Sequence, residues 1–216
     1  MKISRNILFT FFCLVAVSSN SQTVEYILSD FLENPTNNKL RIAGNPELIT
    51  APYGNAVYFD GVDDAFFLNQ NPLNNLKEFT VEMIFKPATQ SNFEQRILNI
   101  GEVSGDRMLL EIRAVDNYWY FDGYAASNGN KLALIDEERL HELNQWYHVA
   151  FVVTPNALAT YVNGTLELEA PFPFKPIGSG STSIGTRLNK RSYFKGTIYK
   201  IKITPNKINP DLFNFK

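Results

Sequence analysis

The sequence predicts an all-β protein, an antiparallel two-sheet β-sandwich, and three observations carry that expectation. Of its 216 residues, 17 are Phe and 10 are Tyr against 3 Met, a bias toward side chains that fit a pleated surface. Short runs of alternating apolar and polar residues recur along the chain, separated by turn residues. Helical periodicity is scarce, with residues 24–32 and 136–143 as the two short helical turns expected.

The runs can be justified in order. Residues 1–21 read as a secretory signal peptide: Lys2 and Arg5 precede an apolar run over residues 7–17, and Ser19 and Ser21 stand at −3 and −1 of a cut before Gln22. The run is much shorter than the about 20 apolar residues of a membrane anchor. Residues 22–216 are then expected as one domain, secreted or periplasmic, with a lead-in segment rich in Asn and Pro over residues 34–52. Val57-Tyr58-Phe59 leads into an acidic turn and then residues 65–68. Phe79, Val81, Met83 and Phe85 alternate with Thr80, Glu82, Ile84 and Lys86 until Pro87. Residues 96–100 and 108–115 form another pair, followed by strands at 118–121, 131–135 and 146–154. Asn163-Gly164 between residues 160–162 and 165–168 specifies a two-residue type I′ hairpin, because both positions tolerate positive φ. Residues 183–185 and 196–203 complete the series.

Composition excludes several function classes. Removing residues 1–21 takes away Lys2, Arg5 and Cys13, leaving 18 basic against 22 acidic residues, a net charge of −4 and no cysteine. Thiol catalysis, a disulfide scaffold and a Cys-based zinc site are thereby excluded from the mature chain. That balance provides no general field for phosphate, so no nucleic-acid partner is expected. One local exception stands out. Arg187, Lys190, Arg191 and Lys195, with Tyr193 among them, form a basic loop without an acid, suited to the carboxylate or sulfate groups of an anionic polysaccharide.

Four segments, in order, resemble the laminin-G-like jelly-roll domains of the concanavalin-A-like lectin and glucanase superfamily. They are Val57-Tyr58-Phe59-Asp60-Gly61 with its acidic turn, the strand from Phe79 to Pro87, Trp146-Tyr147-His148-Val149 running into Asn163-Gly164, and Phe194-Lys195-Gly196 with the strand after it. The resemblance implies two sheets, a face that often binds carbohydrate, and a calcium ion on a sandwich edge. Asp60, Asp63 and Asp64 supply oxygen ligands for such a cation. The final strand departs from the family pattern, with Lys200 where an acid is frequent.

Strand alternation supplies further candidates. Core positions for Met83, Leu110, Ile112, Trp119 and Phe121 place Glu82, Glu111, Arg113, Tyr118 and Tyr120 on outward faces. If their strands are neighbours, these five share one surface able to hydrogen-bond and stack on sugars. The expected function is carbohydrate binding in bacterial glycan utilisation. A small polysaccharide lyase or glycoside hydrolase is the enzymatic alternative, and a protein-binding adhesion module the third. Leu110-Glu111-Ile112-Arg113 and Tyr193-Phe194-Lys195-Gly196 are similar to alginate-lyase strand motifs, but the Gln-x-His element between them is missing. No Glu-x-Asp-x-x-Glu triplet of the glucanases occurs.

Overall fold

Alternation along the chain produces strands with one apolar and one polar edge, and two sheets bury the apolar edges against each other. A computed structural model describes residues 22–34 and 39–213, so the signal-peptide reading of residues 1–21 lies outside the described residues. The strands are β1 (Val24–Ile27), β2 (Leu40–Ala43), β3 (Glu47–Ala51), β4 (Gly54–Asp60), β5 (Ala65–Leu68), β6 (Phe79–Pro87), β7 (Glu94–Gly101) and β8 (Arg107–Val115). There follow β9 (Tyr118–Ser127), β10 (Asn130–Ile135), β11 (His141–Glu142), β12 (Tyr147–Val153), β13 (Ala157–Val162), β14 (Thr165–Pro171), β15 (Ser181–Ile184) and β16 (Lys195–Thr204).

The first sheet runs β14-β13-β12-β6-β16-β4-β3, with β1 added beside β16. The second runs β10-β9-β8-β7-β15-β5-β2, with β11 beside β9. Every pairing is antiparallel. Among the described residues, no helix is long and apolar enough to cross a membrane.

Three local expectations are corrected. Residues 24–27 pair with β16, Val24 opposite Ile203, so helix α1 is confined to Asp30–Glu33. Residues 136–143 contain no helix: the Asp136 carboxylate accepts from the Glu138 N–H at 3.0 Å, and His141–Glu142 joins β9. That local side-chain bond offers the backbone a turn in place of a helix. The lead-in contains two strands, β2 and β3, which lie in different sheets. Gly44 between them has φ +66°, and an added Cβ would lie 2.3 Å from Asp64 Oδ1. The Asn163-Gly164 hairpin forms as expected, with φ +48° and +79°, and Asn128-Gly129 makes the same turn between β9 and β10.

The core between the sheets is aromatic. Phe85 of the first sheet meets Trp119 of the second edge-on at 5.3 Å, and Phe59 meets Phe66 at 5.4 Å. All four are fully buried. Gly123 on β9 lets the sheets approach, since a Cβ there would fall 2.6 Å from Thr160 and 2.9 Å from Phe151. Truncating a large core aromatic removes both burial and contacts. Phe85→Ala is expected to cost about 3–5 kcal/mol, read as a lower denaturant midpoint in an unfolding titration followed by Trp119 fluorescence.

Candidate functional site

The outer surface of the second sheet holds a charged network. On β8, Met108, Leu110 and Ile112 enter the core, so Arg107, Leu109, Glu111 and Arg113 face away from it. On β9, Trp119, Phe121 and Ala125 enter the core, which turns Tyr118, Tyr120, Asp122 and Tyr124 outward. Register places Glu111 opposite Asp122 and Arg113 opposite Tyr120, while Arg96 of β7 lies opposite Glu111.

These side chains interlock. Arg113 donates to Glu111 Oε2 at 3.1 Å and forms an ion pair with Asp122 Oδ2 at 2.6 Å. Arg96 donates through Nε to Glu111 Oε1 at 3.0 Å and through Nη1 to Glu94. Glu111 and Asp122 are only 3% and 2% exposed although they lie on the outer face. The loop after β15 lies over the β7 end of that face: the Arg96 N–H donates to the Ser192 carbonyl at 2.8 Å, and the Leu188 N–H to Asn99 Oδ1 at 3.3 Å.

Electrostatics follow from this crowding. Burial, and then the charge of Glu111, push the Asp122 carboxyl up to about 7 against the pull of Arg113. Burial alone would also raise Glu94, but hydrogen bonds from Arg96 and Ser192 outweigh it and hold that carboxyl low. The pair Glu111 and Asp122 has the two-carboxyl composition of a glycosidase, yet both groups are covered. Their chemistry here is to hold Arg96 and Arg113 in place.

The structure divides the sequence candidates. Glu111, Arg113, Tyr118 and Tyr120 share the outer face of the second sheet, as expected. Tyr118 is 41% exposed at the strand end, whereas Tyr120 is covered at 4%. Glu82 does not join them. It lies on β6 in the first sheet, buried beneath the C-terminal segment, with His148 Nε2 at 3.1 Å and Lys202 Nζ at 3.2 Å. Phe213 stacks 5.5 Å from His148, so Glu82 is part of a buried polar cluster on the opposite side of the molecule.

In the basic loop, Lys190 and Arg191 are exposed, while Arg187 and Tyr193 are half-buried. Arg187 Nη2 donates to the Val103 carbonyl at 2.6 Å. Burial raises the Tyr193 hydroxyl, and the charge of Asp63 adds to that rise.

That turn gathers Asp60, Asp63 and Asp64, whose carboxylate oxygens come within 4.8 Å of one another. They line a cleft of about 170 Å³ with Asn45, Glu47 and Tyr58. Backbone N–H groups fix the set: Asp64 accepts from Asn45 at 2.6 Å and Asp60 at 2.9 Å, and Asp60 accepts from Val62 at 2.8 Å. Burial raises the Asp64 carboxyl, and repulsion from Asp60 and Asp63 adds to it. Clustered carboxylate oxygens match the donor type a hard cation takes.

Sequence reasoning missed Glu94, Arg96, Asn99, Arg107, Asp122 and Tyr124. Asp122 and Tyr124 continue the alternation of Tyr118 and Tyr120 by two more steps, and Arg107 precedes Leu109 in phase. Arg96 lies next to a bulge between Arg96 and Leu98 that breaks the period.

A carboxyl at about 7 in the fold, against 3.8 as its ordinary value, binds more proton folded than unfolded. Its contribution to stability is therefore full below about pH 4 and lost as pH rises toward about 7. The melting temperature is expected to carry this downward component across that window. Asp122→Asn should flatten it, and an unchanged slope in the variant would show that Asp122 is not the titrating group.

The geometry can be compared with known proteins. A family model described as the concanavalin A-like lectin/glucanases superfamily matches residues 59–211. A search of curated protein sequences finds no match. Among solved structures, domain 4 of AbnA, an extracellular family-43 arabinanase of Geobacillus stearothermophilus in complex with arabinotriose, aligns with TM-score 0.62 and 18% identity, covering 78% of this chain and 79% of that one. The botulinum neurotoxin type G receptor-binding domain aligns with TM-score 0.58 and 12% identity over 80% of this chain and 44% of its own. The enzymatically active domain of bacteriophage CBA120 tailspike protein 2 gives TM-score 0.61 and 11% identity over 80% of this chain and 29% of its own. The chain thus spans under half of the neurotoxin domain and under a third of the tailspike. At these identities the likenesses concern the fold. The match over residues 59–211, borne by the two-sheet jelly roll described above, shows that this chain belongs to the concanavalin A-like lectin/glucanase superfamily, in its laminin-G-like branch.

Proposed function

We propose that the protein is an exported carbohydrate-binding protein that recognises an anionic polysaccharide on the outer face of its second sheet, within a bacterial glycan-utilisation system. The observation that carries this reading is the guanidinium-rich face itself, with Arg96 and Arg113 locked by Glu111 and Asp122 and with Tyr118 exposed at its end. Guanidinium forks match carboxylate and sulfate, and an exposed ring offers a stacking surface for a sugar. The exposed Lys190 and Arg191 extend positive charge along the adjoining loop. Arabinotriose in the similar arabinanase domain, and the extracellular setting of that enzyme, support the ligand class and the location.

A polysaccharide lyase acting on a uronate-containing glycan is the second reading, favoured by one contact. Arg107 Nη2 donates to the Tyr124 hydroxyl oxygen at 3.1 Å, which sets beside each other the hydroxyl and the cation that a uronate elimination uses. The Tyr124 oxygen would accept the proton next to the uronate carboxylate as its own hydroxyl proton passes to the departing glycosidic oxygen. A carbon–carbon double bond would form as the glycosidic C–O bond breaks.

One experiment separates the two. Native electrophoresis through gels containing alginate, carrageenan, pectate or arabinan is expected to retard the protein with the charged polymers. Tyr118→Ala should weaken that retardation about fivefold without a change in melting temperature. Growth of the unsaturated-uronate absorbance in solution would establish the lyase. Free migration through every gel, with no absorbance change, would overturn both readings.

The acidic turn is proposed as a calcium site held by Asp60, Asp63 and Asp64, and its supporting observation is the carboxylate cluster fixed by backbone N–H groups. A bound calcium ion would offset the mutual repulsion of the three charges and brace the turn between β4 and β5. Calcium at a hundredfold excess over its dissociation constant should stabilise the protein by about 2.7 kcal/mol. The measurement is a thermal melt in calcium against chelator, with Asp63→Asn expected to abolish the difference. Coincident melts for the native protein would remove the site.

A further inference from the structure

Beyond the interlocked network, Arg107 and Arg187 lie near the turn between β7 and β8 without a carboxylate. Neither Arg107 nor Arg187 forms an ion pair among the described residues. Each has anchored one nitrogen on the turn between β7 and β8: Arg107 Nη1 donates to the Gly105 carbonyl at 2.7 Å, and Arg187 Nη2 to the Val103 carbonyl at 2.6 Å. Those carbonyls belong to residues two apart in the chain, whose Cα atoms are separated by no more than about 7 Å. The two guanidinium groups therefore converge on one corner of the second sheet.

Unspent hydrogen-bonding capacity collects at this corner. Arg107 Nε, Arg187 Nε and Asn99 Nδ2 are buried donors with no partner. Asn99 is fully buried on β7, with its Oδ1 already accepting from the Leu188 N–H, so its amide orientation is fixed by the loop. Arg107 is 9% exposed and its guanidinium lies 5.0 Å from the Tyr124 ring centroid. The nearest acids in the turn are occupied elsewhere: Glu102 accepts from the Ser179 hydroxyl, and Asp106 from the Asn128 N–H at 2.9 Å. Burial lowers the Arg187 guanidinium below its ordinary value, and the charges of Arg107 and Arg96 lower it further.

Buried donors without acceptors are costly, and guanidinium groups pressed together are more so. An oxyanion relieves both costs at once, since it supplies several acceptor oxygens and a negative charge. We infer that Arg107, Arg187 and Asn99 form an oxyanion pocket that takes the sulfate ester or carboxylate of an acidic sugar residue, an inference that rests on the second sheet being the polysaccharide face. Asn189 Oδ1, a buried acceptor without a partner in the same loop, suits a hydroxyl of that sugar. The pocket fixes one charged group of the chain, while the exposed Tyr118 lies at the far end of β9.

The test uses ι-carrageenan as the sulfated probe, alginate as the carboxylated probe and arabinan as the neutral one. Arg187→Gln is expected to weaken binding to the favoured charged polymer about tenfold or more, the effect of losing hydrogen bonds from a charged donor, with arabinan mobility unchanged. Whichever charged polymer shows the loss identifies the source of the oxyanion. Should Arg187→Gln melt early, Arg107→Lys keeps the charge and removes the fork, and it should show a loss for the same polymer. Equal affinity in the folded variants would overturn the pocket while leaving the face as the polysaccharide site. If no polymer binds, thermal melts in sodium sulfate against sodium chloride decide independently. A stabilisation by sulfate that Arg187→Gln diminishes upholds the pocket although the polysaccharide reading fails; the same stabilisation in both proteins removes the pocket.

Discussion

Two carboxyl groups, Glu111 and Asp122, lie opposite each other on adjacent strands with almost no access to water, and the guanidinium of Arg113 forks between them. Much of the second sheet's outer surface depends on that fork. Without it, the buried Glu111 and Asp122 would face each other with no cation between them, a loss on the order of 3–5 kcal/mol. Arg96 closes the arrangement on the β7 side and carries it to Glu94 and Ser192, so the loop after β15 is positioned by the same charges. Such a network contributes little net stability, because desolvation cancels most of its attraction. Its contribution is geometric: it keeps long, flexible side chains in one arrangement on that face.

The aromatic layer underneath makes this tolerable. Phe85, Trp119, Phe59 and Phe66 bridge the sheets through edge-on contacts, and Gly123 allows β9 to come close to Phe151. Rings of this size each bury well over 100 Å² and supply the apolar burial that offsets chain entropy. Charged groups can then occupy the outside because cohesion is provided within.

How far the sequence could be read follows the same division. The inward phase was legible throughout, since Phe79, Val81, Met83, Phe85, Leu110, Ile112, Trp119 and Phe121 are all core residues. Alternation also identified which side chains point outward, but it carries no information about which sheet a strand joins. Glu82 shows this: β6 pairs with β12 and β16, strands distant in sequence, so its outward side faces the opposite direction from Glu111. Tyr120 shows a second limit, for an outward residue can still be covered by neighbours that periodicity does not describe. Arg96 was hidden by the bulge beside it, and Asp122 by a strand that continues past Phe121 to Ser127. The Asn163-Gly164 hairpin was readable because its chemistry is local; the strands β2 and β3 were not, because what makes them strands is a partner elsewhere.

The two outer faces have different fates. Residues 206–213 cross the first sheet, with Thr80 Oγ1 bonded to the Asn206 carbonyl and the Ile208 N–H, and Phe213 packed on His148 and Tyr161. Strand β1 runs along β16 in that same sheet. The C-terminal described segment thus covers the outer face of the first sheet, and the charged surface lies on the other side of the sandwich. One outer face is therefore closed by the chain's own last described segment, and the other keeps its charged side chains uncovered by that segment.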